Sequence, residues 1–90
     1  MAKVMAVFRV YPKDISLEMT ELAEKIRSAL PSECQLAKYE VEEIGFGIKL
    51  LKAYILMPED YEGGTSRIEE ALSSLDEISQ IEEEYVTRIS

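Results

Sequence analysis

The residues able to do chemistry in this 90-residue chain are few, and counting them excludes several kinds of site. The sequence contains no histidine, which excludes histidine-based acid–base catalysis and any zinc site that uses a histidine ligand. Its one cysteine, Cys34, excludes an internal disulfide, a CxxC redox pair and a thiolate metal cluster. We therefore expect no metal site and no bound cofactor.

Carboxylates are plentiful, but their spacing does not bring them together. They include two short runs, Glu40, Glu42 and Glu43, and Glu82, Glu83 and Glu84. Both runs lie in predicted strands, where neighbouring side chains point to alternate faces of a sheet, so neither acid–base pairing nor calcium binding is expected. The segment Pro12–Ile15 lacks the glycine and arginine of an acylphosphatase anion loop and the CxxC of a metal carrier. We expect a protein without covalent chemistry.

The segment Gly45-Phe46-Gly47-Ile48 most resembles a recognition motif, because it matches the core of the RNP1 signature of RNA-recognition motifs. Ile44 stands where RNP1 has a basic residue, however, and Ile48 and Leu51 replace the later aromatic rings that stack on bases. Phe46 then has two interpretations. Its ring either folds into the core over a glycine bend or protrudes as an apolar anchor for a partner's pocket.

The net charge of −8 is carried by the second part of the chain. Residues 1–58 contain eight basic and eight acidic side chains, whereas residues 59–90 contain ten acidic and two basic ones. An acidic surface repels nucleic acid and suits a partner with a basic face, although the charge also serves solubility alone. The longest apolar runs, Val4–Phe8 and Ala53–Met57, are too short to span a bilayer. We expect one domain, 1–90, that is cytoplasmic and has no membrane or nucleic-acid partner.

Apolar periodicity predicts six elements in the order β-α-β-β-α-β. Strands are predicted at Lys3–Tyr11, Gln35–Glu43, Lys49–Met57 and about Ser79–Ile89, and helices at about Leu17–Leu30 and from Ser66 onward. Ser66 with Glu69 forms a capping-box pattern, which predicts where the second helix begins. In the last strand, Ile81 and Tyr85 fit one face but Glu83 lies between them, so either a bulge or a solvent-exposed face is expected.

Right-handed crossovers convert this order into a split β-α-β arrangement, an α+β fold. It has four antiparallel strands with both helices on one face of the sheet. The other face is left open, and in this architecture an open face is the usual place to bind a partner. Because the fold hosts many functions, it does not by itself identify one.

Several segments in order resemble the elongation factor 1-beta family of guanine-nucleotide exchange factors, in its stand-alone archaeal form. They are Val4–Pro12, Ile44–Lys49, Pro58–Asp60, Gly63–Thr65 with Glu69 and Glu70, and Val86–Ile89. The likeness covers about residues 3–89. It implies a ferredoxin-like fold and a factor that replaces GDP by GTP on elongation factor 1-alpha, the GTPase that delivers aminoacyl-tRNA to the ribosome.

The resemblance also implies a partner-binding set, namely Gly45, Phe46, Gly47, Lys49, Arg88 and Ile89. Phe46 matches an aromatic that inserts between two domains of the GTPase, which favours the anchor interpretation. Arg88 matches a lysine of eukaryotic members that reaches toward the magnesium and phosphate site. The alternative for Arg88 is a surface residue that offsets Glu82–Glu84. The competing functions are a small-ligand regulatory module of the same fold and an RNA-binding module.

Overall fold

The computed structural model describes residues 3–61 and 63–89. Its elements are β1 (Lys3–Pro12), α1 (Met19–Ala29), β2 (Gln35–Gly45), β3 (Ile48–Pro58), α2 (Gly64–Ser73) and β4 (Ile78–Ile89). The order β-α-β-β-α-β is the predicted one, and most bounds agree with the sequence prediction to within two residues. Neither α1 nor α2 has the length and apolar character needed to cross a membrane.

The four strands form one antiparallel sheet in the order β2-β3-β1-β4. Both helices pack on the same face of this sheet. The core cluster joins alternate residues of β1 to both helices, through Leu22, Ala23 and Ile26 of α1 and Ile68 and Leu72 of α2. The predicted ferredoxin-like α+β fold is therefore confirmed.

Helix α1 is shorter than its apolar stripe predicted, and the backbone at its two flanks explains the difference. Glu18 has φ −69° and ψ 134°, and Leu30 has φ −65° and ψ 144°, so both are extended. Leu30 precedes Pro31, whose ring disfavours helical geometry in the residue before it. The apolar side chains just outside the helix still pack against the core, among them Leu17 and Leu30.

The predicted capping box at the start of α2 is wrong. The helix begins at Gly64, its N-cap is Gly63 with a left-handed φ of 89°, and no side chain caps it. Gly63 and Gly64 both adopt positive φ, and the Gly64 amide donates to the carbonyl of Tyr61 at 3.1 Å. The glycine pair thus turns the chain into the helix early, which leaves Ser66 within the first turn.

Strand β4 contains a bulge at Glu84. Tyr85 pairs with Val7 whereas Glu83 pairs with Phe8, so Glu84 has no partner across the ladder. The extra residue reverses the alternation of faces. Ile81 therefore packs against the core while Tyr85 lies on the face away from the helices. The bulge, one of the two expected explanations for the untidy alternation, is thus confirmed.

Candidate partner-binding site

Phe46 and Gly47 are the two central residues of the hairpin between β2 and β3, in which Gly45 pairs with Ile48. We call Gly45–Ile48 the hairpin tip. Phe46 has φ 54° and Gly47 has φ 75°, and two positive φ values are what a tight type I′ hairpin turn requires. Gly45, at φ 110°, enters the turn in a conformation that only glycine adopts readily.

The Phe46 ring is fully exposed, with a relative accessibility of 101%. The interpretation that the ring folds into the core is therefore wrong. Phe46 is also the only non-glycine residue with positive φ among residues 3–61 and 63–89. A bulky side chain in the left-handed region costs about 1 kcal/mol or more. The tip therefore holds a large apolar ring in water with a strained backbone, and strain of this kind clusters at functional sites.

The apolar exposure extends from the ring to its neighbours. Val41, Ile44 and Ile48 are between 39% and 50% exposed. Ile44 and Ile48 flank the Gly-Phe-Gly segment in the chain, whereas Val41 lies on the opposite face of the sheet from Ile48, because Val41 pairs with Leu51. Exposed apolar side chains next to a protruding ring enlarge the apolar surface that a partner can cover.

A groove runs beside this tip, between the hairpin and the loop that connects β1 to α1. We call residues 13–18 the Ile15 loop. The groove has a volume of about 440 Å³. Its lining consists of apolar residues and glycine, namely Pro12, Ile15, Leu17, Met19, Val41 and Gly47, and of the polar residues Ser16, Glu18, Thr20 and Lys49. Lys49, exposed on β3, thus stands at its edge.

The Ile15 loop is fixed by hydrogen bonds on both sides of Ile15. Asp14 Oδ1 accepts from the Ser16 amide at 2.9 Å and from the Ser16 hydroxyl at 2.8 Å, and the Lys13 amide donates to the Glu77 carbonyl at 2.8 Å. The Ser16 amide and hydroxyl lower the pKa of the Asp14 carboxyl, since both bonds favour its charged form. Ile15, between these two residues, is 70% exposed.

The other two predicted site residues lie at the far end of the sheet. Arg88 Nη2 lies 3.1 Å from Glu59 Oε1 and 3.3 Å from Oε2, and 67% of the Arg88 side chain is exposed. The suggestion that Arg88 offsets Glu82–Glu84 is therefore wrong, because its partner among the described residues is Glu59. Ile89, which pairs with Lys3, is 38% exposed.

The six predicted residues therefore form two groups. Gly45, Phe46, Gly47 and Lys49 lie where β3 begins, whereas Arg88 pairs with Val4 near the start of β1, beside the end of β3. The eleven residues of β3 separate the two ends, which corresponds to roughly 30 Å of strand. A partner that contacts both groups must span most of the 42 Å long axis of the molecule.

The sheet face opposite the helices is covered by paired charges. Lys52 Nζ lies 3.3 Å from Glu84, Arg9 lies 3.5 Å from the same carboxylate, and the Tyr54 hydroxyl donates to Glu40 at 2.8 Å. The hydrogen bond to Glu84 raises the pKa of Lys52. Beneath these groups the side chain of Val7 is fully buried. Glu84 points toward both cations because it lies two residues after Glu82, which pairs with Arg9, and therefore shares its face of the sheet.

Within the part of the chain that the structure describes, no group of three or more cysteine, aspartate or glutamate side chains is placed to hold a metal ion. Sequence reasoning missed two residues of the surfaces above, Ile15 and Glu59. An isoleucine between Asp14 and Ser16 in a loop was a usable signal. The pairing of Glu59 with Arg88 joins residues 29 apart in the chain, and nothing local indicates it.

A family model and several known proteins are similar to this chain. The family model for the EF-1 guanine nucleotide exchange domain matches residues 5–89. A protein named elongation factor 1-beta from Staphylothermus marinus is 46% identical over 90 residues, covering all of both chains. Another of that name, from Hyperthermus butylicus, is 46% identical and covers all of this chain and 98% of its own.

A solved structure extends the comparison to the fold. The C-terminal domain of the MgtC protein from Mycobacterium tuberculosis matches with a TM-score of 0.54 at 15% identity, over 96% of this chain and 87% of that one. At this level of identity the likeness concerns the fold alone.

Proposed function

The chain belongs to the EF-1 guanine nucleotide exchange family and acts as an exchange factor in translation elongation, and we propose that its partner is the GTPase elongation factor 1-alpha, which it holds through Phe46. The relatives' name, elongation factor 1-beta, supports this partner over an RNA or a small regulatory ligand. We propose further that residues 1–90 form a single exchange domain that works in the cytoplasm.

The exposure of Phe46 is the observation that carries the proposal. Moving a phenylalanine ring from water into a partner's pocket gains about 2–3 kcal/mol, and aromatic anchors of this kind dominate many interfaces. The type I′ turn fixes the position of the ring before binding, so little conformational freedom is lost when it docks. The glycines on either side leave room for the walls of a pocket to approach the ring.

The exchange itself needs no reactive group on this chain. A GTPase holds its nucleotide through a P-loop and a magnesium ion bound to the phosphates. A factor that binds better when those contacts are weakened lowers nucleotide affinity, and the nucleotide lowers the affinity for the factor by the same ratio. GDP leaves, GTP binds, and the factor is released without any covalent step.

Arg88 is the cation that we propose acts near the phosphates of the nucleotide bound to the GTPase. It projects from the end of the sheet opposite Phe46, and Glu59 holds it in the free molecule. An exposed ion pair of this kind is weak, so a phosphate or carboxylate of the partner can replace Glu59. The planar guanidinium differs from the lysine of eukaryotic members in offering a bidentate contact.

Release of labelled GDP from elongation factor 1-alpha tests the function directly. The GTPase is loaded with labelled GDP and diluted into excess unlabelled nucleotide, with and without a substoichiometric amount of this protein. We expect release to accelerate and each molecule of the factor to act on many GTPase molecules. Release at the intrinsic rate in both samples would refute the proposed partner.

A further inference from the structure

The Ile15 loop presents an apolar side chain where turns ordinarily carry polar ones. Turn positions favour Gly, Pro, Asn, Asp and Ser, each for a backbone reason, and an isoleucine gains nothing there. The bonds from Ser16 to Asp14 and from Lys13 to Glu77 hold the loop, so the 70% exposure of Ile15 belongs to a defined conformation.

The groove joins this loop to the hairpin tip. Ile15 and Leu17 line one side, Val41 and Gly47 line the other, and Gly47 is bonded directly to Phe46. The exposed ring, the groove and the Ile15 side chain thus lie at the same end of the molecule, and the groove has a mixed lining in which Glu18 and Lys49 stand beside the apolar residues. A partner that takes Phe46 into a pocket is brought against the groove at the same time.

The charge at the edge of the groove agrees with such a partner. Lys49 lines the groove together with Glu18, and Glu43 lies opposite it in the β2–β3 ladder, but no carboxylate among the described residues forms a salt bridge with it. A cation without an internal salt bridge at the edge of a groove is available for an acidic side chain of another protein.

We propose that the groove between Ile15 and Gly47 receives an apolar side chain of the same GTPase, flanked by an acidic residue that pairs with Lys49, and that Ile15 is a second specificity-determining contact of the exchange reaction. The inference rests on the proposed function for the identity of the partner. In this arrangement the chain both inserts a ring, Phe46, into the GTPase and receives one of the GTPase's side chains in the groove. Both contacts lie at the same end of the molecule.

Two substitutions test the groove from opposite directions. Ile15→Ser removes apolar surface from one wall, and Val41→Trp fills the space from the other. Tyr85→Thr is the control, because Tyr85 is a 46% exposed apolar side chain on the opposite face of the sheet. The affinity of each variant for the nucleotide-free GTPase is measured by calorimetry, and thermal unfolding of each variant checks its fold.

We expect Ile15→Ser and Val41→Trp each to weaken binding by about tenfold or more, with the control within about twofold of the parent. Weakening by Ile15→Ser with unchanged binding of Val41→Trp would overturn the groove as a receptor. Parent-like binding of both, together with weak binding of Phe46→Ala, would overturn the inference and leave the proposed function standing. Parent-like binding of all three, Phe46→Ala included, would also overturn the proposal that the Phe46 end of the molecule binds the GTPase.

Discussion

Arg88 and Glu59 form an ion pair, with Nη2 3.1 Å from Oε1, at the end of the sheet farthest from Phe46. The factor thus carries its exposed ring and its exposed guanidinium on opposite ends of one rigid sheet. In the proposed account the ring supplies affinity and the guanidinium acts on the nucleotide site. The two roles are separable by mutation, because the groups share no contact.

Arg88→Ala should lower the rate of stimulated GDP release more than it lowers affinity for the GTPase. The reason is that a cation acting at the phosphates affects the exchange step, whereas Phe46 is expected to carry most of the docking energy. Titration of the release rate against factor concentration separates the maximal rate from the half-saturating concentration. Arg27→Ala is the control, since Arg27 is an exposed arginine of α1. Equal losses in rate and affinity would reduce Arg88 to an ordinary contact residue.

Glu59→Gln should release Arg88 from its internal partner. Because exposed ion pairs contribute little, we expect unfolding free energy to change by less than about 1 kcal/mol. The half-saturating concentration in the release assay should fall modestly, since the pair no longer has to be broken on docking. A weaker or slower factor would indicate instead that Glu59 orients Arg88 for its task.

Phe46→Asn should raise stability and lower activity together. Asparagine tolerates left-handed geometry, and Asn-Gly is the preferred sequence of a type I′ turn, so the variant relieves the strain at φ 54°. We expect a gain of about 0.5–1 kcal/mol in the free energy of unfolding, measured by urea titration, with a large loss in GDP release. A variant that is less stable than the parent would show that the exposed ring supports the hairpin.

The Ile15 loop should loosen only in strong acid. Ser16 lowers the pKa of Asp14 in the folded protein, so the stabilisation is present above the unfolded pKa and is lost as the pH falls through the lower folded value. The amide hydrogen exchange and chemical shift of Ser16, followed by NMR from neutral pH to about pH 2, report the transition. In Asp14→Ala this transition should be absent. A Ser16 signal that changes already near neutral pH would contradict the assignment.

Much of the fold was predictable because it follows from local patterns. Apolar alternation in β1 and the helical stripe of α1 have different periods, and handedness then leaves few arrangements of the six elements. An error arose where backbone conformation overrode a side-chain pattern, because the positive φ of Gly63 and Gly64 started α2 before the capping box. The untidy alternation of β4 predicted a bulge or an exposed face, and only the structure places the bulge at Glu84.

The candidate site was predictable in part. The Gly-Phe-Gly spacing identified a special position at 46, but two glycines allow a chain to bend either way, so only the structure separates a buried ring from an exposed one. The pairing of Arg88 with Glu59 and the groove beside Ile15 depend on residues far apart in the chain. Such contacts follow from the packed sheet and have no local signature.

Stimulated GDP release by Phe46→Ala, compared with Tyr85→Ala as a second exposed aromatic, tests the central claim most directly. Both side chains are outside the core, so thermal unfolding should confirm that both variants keep the fold. The account predicts that Phe46→Ala weakens binding to the GTPase by about 2 kcal/mol or more and raises the half-saturating concentration to match, while Tyr85→Ala behaves like the parent. Parent-like GDP release by Phe46→Ala would contradict it.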